Sequence, residues 1–540
     1  MAYATDYTTL LTGSYWSGAE IAAKLVFVTY SFDTTAPASD AGHLAPSALA
    51  TFTAYTAAQQ AQARQALAEW SSASTVAGGG SGIVFLEVPS GQGDINFASY
   101  DFTSDPNARY SGGEGYYPWG NWNYSTGQPG SIHFGADLPG AGNILMNTAF
   151  ETGGLFSYAT VLHEIGHALG LKHPTDAWTN DVPGYIDVVH NQWDPNITYD
   201  PNFSIMSAGA TSLTDLTGAD YQAIQSIYGT PSMAANADKS WSWDAGTNTL
   251  TQVLKGGGQT VRGVSTSNLI TGGTGADAIY AIGAGTNTVW GRGGADTLVG
   301  GSGVSYLDGG AGADTINGWF GASWASYQDA AAGVVASLAN PSLNTGDAAG
   351  DSYLHIGRLL GSKFAEGLTG DGAGDVIEGA GGADLLAGGA GNTIFVYAAI
   401  GDSAAAAPDT IADFHSGDLI DLSAIDANPK KAGFQSFSFG TQTGKAGDLV
   451  ATYDAVHDRT VVDLYNKKAA APQGTIWLAG NHALTAADFI LTGGARAPAP
   501  AGFASAMASF GAGAAESLYA GAEPWSAPRF SLSAPRTQLV

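Results

Sequence analysis

Apolar residues in the first part of the chain follow both strand-like and helix-like spacings. Residues 25–32 form a continuous β-branched and aromatic run, which predicts a buried strand. The stretch 57–70 is rich in Ala, Gln, Arg and Leu and carries Leu67 and Trp70 on one face, which predicts a helix. Further strands are predicted over 84–88 and 94–97, and further helices over 158–169 and 215–228. Because helices and strands alternate, residues 1–235 are expected to form an α/β or α+β domain.

A different pattern fills residues 236–494, where Gly and Asp recur at short intervals. Two units read Gly-Gly-x-Gly-Ala-Asp and end at Asp277 and Asp314. Key positions step by nine residues through 287, 296, 305 and 314, and Asp375 and Asp384 repeat the step. Short periodic units predict a solenoid. A flexible Gly-rich linker is the alternative, but a linker would lack periodic apolar residues. Those residues are expected to fill the solenoid: Ile279, Val289, Leu298, Leu307, Ile316, Ile377 and Leu386.

Composition narrows the classes of partner. Lys plus Arg total 19 and Asp plus Glu total 47, so the net charge is −28 and nucleic acid and anionic membranes should be repelled. The chain has no cysteine, which excludes disulfides and thiolate metal sites. It shows neither an N-terminal signal of the charged-then-apolar type nor an apolar run long enough to span a bilayer. Residues 495–540, rich in Ala, Pro and Ser, are predicted to be a flexible tail that serves as a secretion signal or an anchor.

The most specific chemical motif is His-Glu-Ile-Gly-His-Ala-Leu-Gly-Leu-Lys-His, which begins at His163. His163 and His167 are four residues apart, so on a helix they share a face and can bind one zinc ion. A glycine then allows the chain to turn and bring His173 back as the third ligand. Glu164 is placed to act as the general base toward an activated water. The alternative is that these are unrelated core or surface histidines, although the chain has only 10.

The motif resembles that of the metzincins, and His173 followed by Pro174 is similar to the serralysin branch. Met206, within Ser-Ile-Met-Ser, fits the Met-turn that the family carries beneath its zinc. The Gly-rich units look like the RTX nonapeptides that follow the serralysin catalytic domain. The resemblance covers roughly residues 5–490 and implies an α+β metzincin-type domain, then an all-β parallel β-roll.

This chain departs from the family pattern at three places. Serralysins carry a Tyr two residues after the Met-turn Met, whereas this chain has Ala208. Losing one oxyanion donor typically costs about 10²–10³ in rate, and Tyr199 is a nearby candidate substitute. The family-like segment at residues 10–13 begins close to Met1, so little or no latency from a propeptide is expected. The chain also continues for about fifty residues past the segment at 486–491, where serralysins usually end.

The resemblance also implies structural calcium in the roll. Gly-rich turns and Asp carboxylates would enclose Ca²⁺, which prefers six to eight oxygens. The residues that match the ligand positions are Asp277, Asp296, Asp314, Asp375 and Asp384. Asp371 is a further candidate, and Asn287 and Ser305 predict weaker or missing sites. Asp413 and Asp421 could be ligands or structural residues. Folding is therefore expected to require millimolar calcium, which couples it to export.

These observations predict a secreted zinc endopeptidase that acts on proteins or peptides. The resemblance further implies passage through a type I secretion apparatus and a possible proteinaceous inhibitor. The alternative is a calcium-dependent surface or adhesion protein with a weak or inactive protease domain, an interpretation that Ala208 favours. Substrate preference depends on the loop at about 175–203, whose shape the sequence does not define.

Overall fold

The computed structural model describes residues 2–3, 25–37, 40, 44–71, 79–106, 108–109, 111–116, 142–171, 197–198, 204–206, 215–230, 239–319, 321–440 and 445–492. Four α-helices lie in the N-terminal part of these residues: α1 Pro46–Leu49, α2 Ala57–Trp70, α3 Tyr158–Ala168 and α4 Gly218–Tyr228. The same part contains seven strands: β1 Ala2–Tyr3, β2 Val26–Phe32, β3 Ile83–Glu87, β4 Ile95–Tyr100, β5 Gly113–Gly115, β6 Ile144–Asn147 and β7 Ile197–Thr198.

The N-terminal region is built on a five-stranded sheet in the order β3-β2-β4-β6-β5. Its strands run parallel except β5, which is an edge strand antiparallel to β6. All seven residues of β2 are buried, as the continuous apolar run predicts. Helices α2, α3 and α4 pack against the sheet in one apolar core. The α+β prediction is confirmed.

Side chains explain where two of the predicted helices begin. The Thr56 hydroxyl accepts the Gln59 N–H and closes a capping box at the start of α2. Helix α4 begins at Gly218, three residues later than predicted, because the Thr217 side chain and Asp220 form another capping box there.

The C-terminal region adds β8 to β31, most of which are three to five residues long. These strands are Lys239–Asp244, Thr249–Leu254, Thr260–Arg262, Ser267–Thr271, Ala278–Tyr280, Asn287–Trp290, Thr297–Val299, Ser305–Asp308, Thr315–Asn317, Ser323–Ser326, Val335–Ser337, Ser352–Leu354, Arg358–Leu360, Gly367–Thr369, Val376–Glu378, Leu385–Ala387, Ile394–Val396, Asp409–Ile411, Leu419–Asp421, Ser438–Phe439, Asp448–Asp454, Arg459–Leu464, Gly474–Ala479 and Phe489–Ile490.

Successive short strands alternate between two facing sheets and so form a parallel roll. One sheet has eleven strands, and the other face is divided between a five-stranded and an eight-stranded sheet. All seven apolar residues predicted to point inward have no exposed surface and belong to one core. The predicted roll is confirmed, and its inner apolar positions supply the core that a flexible linker would lack.

The roll and the N-terminal region share a buried junction. Phe27 of β2 packs edge-on against Trp241 of β8, with ring centroids 4.9 Å apart. Arg262 of the roll forms an ion pair with Asp94, N to O 3.0 Å, and their side chains are 3% and 1% exposed. Arg262 also donates to the Phe27 carbonyl at 3.2 Å. Because both charges are buried, the ion pair ties the two regions together at a point that solvent does not reach.

Candidate metal sites

Helix α3 carries the first candidate site. Ser157 caps the helix N-terminus, and Leu162 and Ile165 anchor it in the core. The Trp70 indole donates to the Leu162 carbonyl at 3.2 Å, which fixes α3 against α2. Gly170 has φ 97°, a conformation that suits glycine, and it ends the helix as the sequence predicts.

His163 and His167 are brought together on this helix, with ring centroids 4.7 Å apart and planes nearly perpendicular. Each ring is oriented by a backbone carbonyl: His163 Nδ1 lies 2.7 Å from Ile205 O, and His167 Nδ1 lies 2.7 Å from Leu171 O. A hydrogen on each Nδ1 leaves Nε2 as the ligand nitrogen of a neutral imidazole. The pair therefore fits a zinc ion, which prefers imidazole nitrogen.

Glu164 completes a tight group with the two histidines. One ligand atom from each of the three residues lies within 4.8 Å of the others, the only such group among the described residues. Burial raises the pKa of Glu164 to about 8, and the charge of Glu114 adds to this rise. The Gly115 N–H donates to the carboxylate and acts in the opposite direction. A carboxyl with a pKa near neutrality is suited to proton transfer.

Strand β5 lies against this helix because it has two glycines. A Cβ on Gly115 would lie 2.4 Å from Glu164 O, and one on Gly113 would lie 2.9 Å from Glu164 Cγ. The edge of the sheet can therefore approach the candidate base directly. Sequence reasoning missed this contribution, although a Gly-Glu-Gly edge strand could have suggested a close approach.

Met206 is fully buried beneath the helix, as expected of a Met-turn. A Cβ on Gly166 would lie 2.3 Å from Met206 Sδ, so a glycine is needed at that helix position. The Ser204 hydroxyl and the Ile205 N–H both donate to Asp220 of α4, the latter at 3.0 Å. Asp220 therefore holds the segment whose carbonyl orients His163, a role that the sequence did not reveal.

Three residues from the sequence interpretation lie outside the described residues: His173, Tyr199 and Ala208. The third zinc ligand and the replacement of the family Tyr therefore stay predictions. The tail at 495–540 lies outside the described residues as well.

The predicted calcium ligands on one side of the roll form a ladder. Asp277 N–H donates to Asp296 Oδ1, and Asp296 N–H donates to Asp314 Oδ1, both at 2.7 Å. Asp314 N–H continues to Asp351 at 2.9 Å. The second carboxylate oxygens of Asp296 and Asp314 are buried with no hydrogen-bond partner. At the end of the ladder, Asp351 Oδ2 accepts from the Tyr327 hydroxyl at 2.9 Å.

A second ladder follows in the later repeats. Glu366 N–H donates to Asp384 Oδ1 at 2.8 Å, and Asp384 N–H donates to Asp409 at 2.9 Å. Glu366 Oε2, Asp384 Oδ2 and Asp409 Oδ2 are buried without a partner. Asp375 lies on the opposite face, where its Oδ1 is likewise unpartnered. Sequence reasoning missed Asp351 and Asp409 because insertions break the nine-residue step before each. It missed Glu366, nine residues before Asp375, because no Gly-Gly-x-Gly sequence precedes it.

Electrostatics at both ladders favour a bound cation. Burial raises the pKa of Asp296 and of Asp314 to about 6, and neighbouring carboxylates add to each rise. Burial and the charge of Asp402 raise the pKa of Asp409 to about 8. Burial, with the charge of Asp409, also raises the pKa of Asp384. Buried oxygens without donors are the ligand chemistry that Ca²⁺ prefers, so the residues fit the metal.

The opposite side of the early roll is neutral instead. The Asn268 amide donates to Asn287 Oδ1 at 2.8 Å, and the Asn287 amide donates to Gly283 O at 2.9 Å. The Ser305 hydroxyl accepts the Gly301 N–H at 3.1 Å. These side chains satisfy one another without a cation, in keeping with the expectation of weak or missing sites there.

The remaining acidic candidates bind backbone N–H groups. Asp371 accepts from Ala373, and Asp421 accepts from Ser423, each within its own turn. Asp413 accepts from two consecutive N–H groups of a neighbouring turn, at 2.9 and 2.8 Å. These contacts support structural roles for Asp413 and Asp421.

Two family models match the chain. The model described as Matrixin matches residues 49–192, and the model described as Peptidase M10 serralysin C terminal matches residues 243–491.

No described helix is long and apolar enough to cross a membrane.

Relatives of this chain include proteins named as serralysins and as AprA metalloproteases. Serralysin G of Dickeya chrysanthemi is 32% identical over 225 residues, which are 40% of this chain and 41% of that protein. The matched part is thus about two fifths of that relative. Metalloprotease AprA of Pseudomonas entomophila is 28% identical over 486 residues, 79% of this chain and 78% of that protein.

Among solved structures, the AlgE6R2 subunit of the Azotobacter vinelandii mannuronan C5-epimerase is 26% identical to this chain. The matched part makes up 35% of this chain and 97% of the AlgE6R2 chain. Its TM-score of 0.21 is too low to bear on fold or function.

Proposed function

We propose that this chain is a zinc-dependent endopeptidase of the serralysin family of metzincin metalloproteases, because the Matrixin and serralysin C-terminal family models and the named relatives match it. The observation that carries the proposal is the grouping of His163, Glu164 and His167, whose ligand atoms lie within 4.8 Å of one another. Protein or peptide chains are the substrates that this family membership implies.

Each residue of the site would have its own role in peptide-bond hydrolysis. His163 and His167 would hold the zinc through Nε2, with His173 as the third ligand. Zinc held there would activate a water molecule and polarise the scissile carbonyl. Glu164 would accept a proton from the attacking water and later deliver it to the leaving amine. The carbonyls of Ile205 and Leu171 fix the orientation of the two imidazole rings through Nδ1.

The roll is proposed to bind structural calcium through the two ladders. The ladder ligands are Asp277, Asp296, Asp314 and Asp384, to which the structure adds Glu366 and Asp409, and Asp375 is a further proposed ligand on the opposite face. Calcium would neutralise the facing carboxylates and stabilise the folded roll. Secretion through a type I apparatus and inhibition by a small protein are further proposals, which rest on the family alone.

The test is casein hydrolysis by the purified chain with zinc and calcium, compared with Glu164→Gln. We expect the variant to lose about 10²–10⁴-fold in rate, the usual contribution of a general base. Glu151→Gln is the matched control, because Glu151 accepts a hydrogen bond from the Gln59 side chain and does not belong to the group formed by His163, Glu164 and His167. Its rate should stay within twofold of wild type.

A folded, zinc-loaded wild-type chain that cleaves neither casein nor unfolded peptides would contradict the proposal. That outcome would favour a calcium-dependent surface protein, the alternative that Ala208 raises. Equal rates for Glu164→Gln and wild type would instead show that another residue acts as the base.

A further inference from the structure

The chain leaves helix α3 through a turn that folds back onto the helix. Gly170 N–H donates to His167 O, and Leu171 N–H donates to Gly166 O, both at 2.9 Å. These two bonds, together with the left-handed conformation of Gly170, make the turn a Schellman motif. The motif brings the Leu171 carbonyl to 2.7 Å from His167 Nδ1. The orientation of the His167 ring therefore depends on where this turn is held.

Tyr228, the last residue of α4, contacts the beginning of that turn. Its hydroxyl donates to the Leu169 carbonyl at 2.9 Å. Carbonyls in the last turn of a helix have no partner within the helix, so this one needs a donor from elsewhere. Neither residue has exposed surface, and solvent therefore does not replace the phenol as donor. The Tyr228 hydroxyl thus fixes the turn at the point where α3 ends.

The end of α4 that carries this hydroxyl is itself anchored to the central sheet. The Gln225 side chain donates to the Gly80 carbonyl at 2.8 Å, and Gly82 N–H donates to the Gly229 carbonyl at 2.9 Å. Both contacts are made to the segment that leads directly into strand β3. A hydroxyl presented from a fixed helix end can hold its acceptor in one place, which a hydroxyl on a mobile loop could not do.

We propose that Tyr228 is a positioning residue for His167, so that the two ends of α4 orient the two zinc-binding histidines of α3 separately. Asp220, in the first turn of α4, holds Ile205, whose carbonyl orients His163. Tyr228, at the other end, holds the turn whose carbonyl orients His167. The inference rests on the proposed zinc site, and partners that orient a ligand ring contribute to metal affinity.

Zinc affinity of the full chain, measured by competition with a chromophoric chelator, gives the first test. Tyr228→Phe removes only the hydroxyl and leaves the ring in the core. We expect the affinity to fall about tenfold, the lower end of the effect of losing an orienting partner, because Tyr228 acts through the turn and not on the ring itself. Tyr100→Phe is the matched control, since its buried hydroxyl donates to Asp40 at 2.6 Å in a core cluster separate from α3. Its affinity should equal that of wild type.

Nitrogen NMR of the zinc-loaded chain, labelled at histidine, separates positioning from stability. Tyr228→Phe should shift the Nδ1 resonance of His167 and leave that of His163 in place. Should this variant fail to fold, Gln225→Ala must shift the same His167 resonance, because it releases the end of α4 that carries Tyr228.

Two results would overturn the proposal. One is wild-type affinity with an unmoved His167 resonance in Tyr228→Phe. The other is equal shifts at His167 and His163, which would mean that Tyr228 acts only through the stability of α4. A wild-type chain that binds no zinc would instead contradict the proposed zinc site itself.

Discussion

His163 in the catalytic region and Asp296 in the roll are both predicted metal ligands, but the protein holds them in different ways. The His163 ring is neutral in its ligating form, and a carbonyl 2.7 Å away fixes its Nδ1. Asp296 uses one oxygen for a backbone N–H and keeps the other buried without a donor. The first ligand is satisfied by protein atoms, whereas the second is satisfied only when a cation or a proton arrives.

This difference separates the energetic roles of the two metals. Removing zinc would take away the ion but would leave in place the hydrogen bonds that orient the histidine rings. If calcium binds the roll as proposed, its removal would leave facing carboxylates such as Asp384 and Asp409, whose mutual repulsion opposes folding. Catalysis should therefore depend on zinc directly and on calcium through stability.

The largest expected effect is a pH dependence confined to the chelated protein. Burial raises the pKa of Asp409 to about 8, above the value of an unfolded chain, so the fold retains a proton. Such a group stabilises the fold at low pH, and its contribution is lost as pH rises toward 8. If the folded state keeps one proton that the unfolded state has lost, three pH units change the free energy of unfolding by about 4 kcal/mol. In chelator, urea unfolding should thus show a roll that is less stable at pH 8 than at pH 5.

Asp409→Asn sharpens this test. In chelator at pH 8 the variant should be more stable than wild type, and in millimolar calcium it should be less stable. Asp458→Asn is the matched control, because Asp458 is exposed and its φ of 47° is one that asparagine tolerates. An unchanged pH dependence in Asp409→Asn would contradict the assignment of Asp409 to the second ladder.

An effect of similar size is expected where the two regions meet. Arg262→Met leaves Asp94 buried without its ion-pair partner, and breaking a buried pair usually costs about 3–5 kcal/mol. Since Asp94 also accepts a hydrogen bond from the N–H of Thr29 in the buried strand β2, the loss should lower the unfolding midpoint of both regions together. Urea unfolding followed by fluorescence and by circular dichroism measures this.

The exposed ion pair between Arg64 and Glu87 offers a matched comparison. Its side chains are 37% and 41% exposed, so Arg64→Met should cost at most about 1 kcal/mol. If Arg262→Met costs no more than Arg64→Met, or lowers the stability of only one region, the two regions are not coupled through Asp94.

Much of this arrangement could be predicted from local sequence. His163, Glu164 and His167 lie within one helical turn, so their meeting depends only on helix geometry. The inward apolar residues of the roll follow a fixed step, and their burial is equally local. Asp220 could not be found in this way, because it reaches Ile205 from another helix.

Insertions set the second limit of prediction. Asp314 and Asp351 are consecutive rungs of one ladder but are separated by 37 residues, because β18 and two short turns lie between them. Periodicity cannot identify Asp351 once the step is broken. The neutral side of the roll follows from composition, since Asn287 and Ser305 stand where acids would be needed.

The smallest predicted effect concerns Asp220, which we expect to be a positioning residue for zinc. Asp220→Asn weakens the hold on Ile205, whose carbonyl orients His163, and loss of such a partner typically lowers metal affinity about 10–100-fold. Competition with a chromophoric chelator measures the zinc affinity. Thr217→Ala is the control, because it removes the cap of α4, which should lower stability by about 1 kcal/mol, but keeps the hydrogen bond between Asp220 and Ile205. Equal weakening of zinc binding in both variants would mean that Asp220 acts only through the stability of α4.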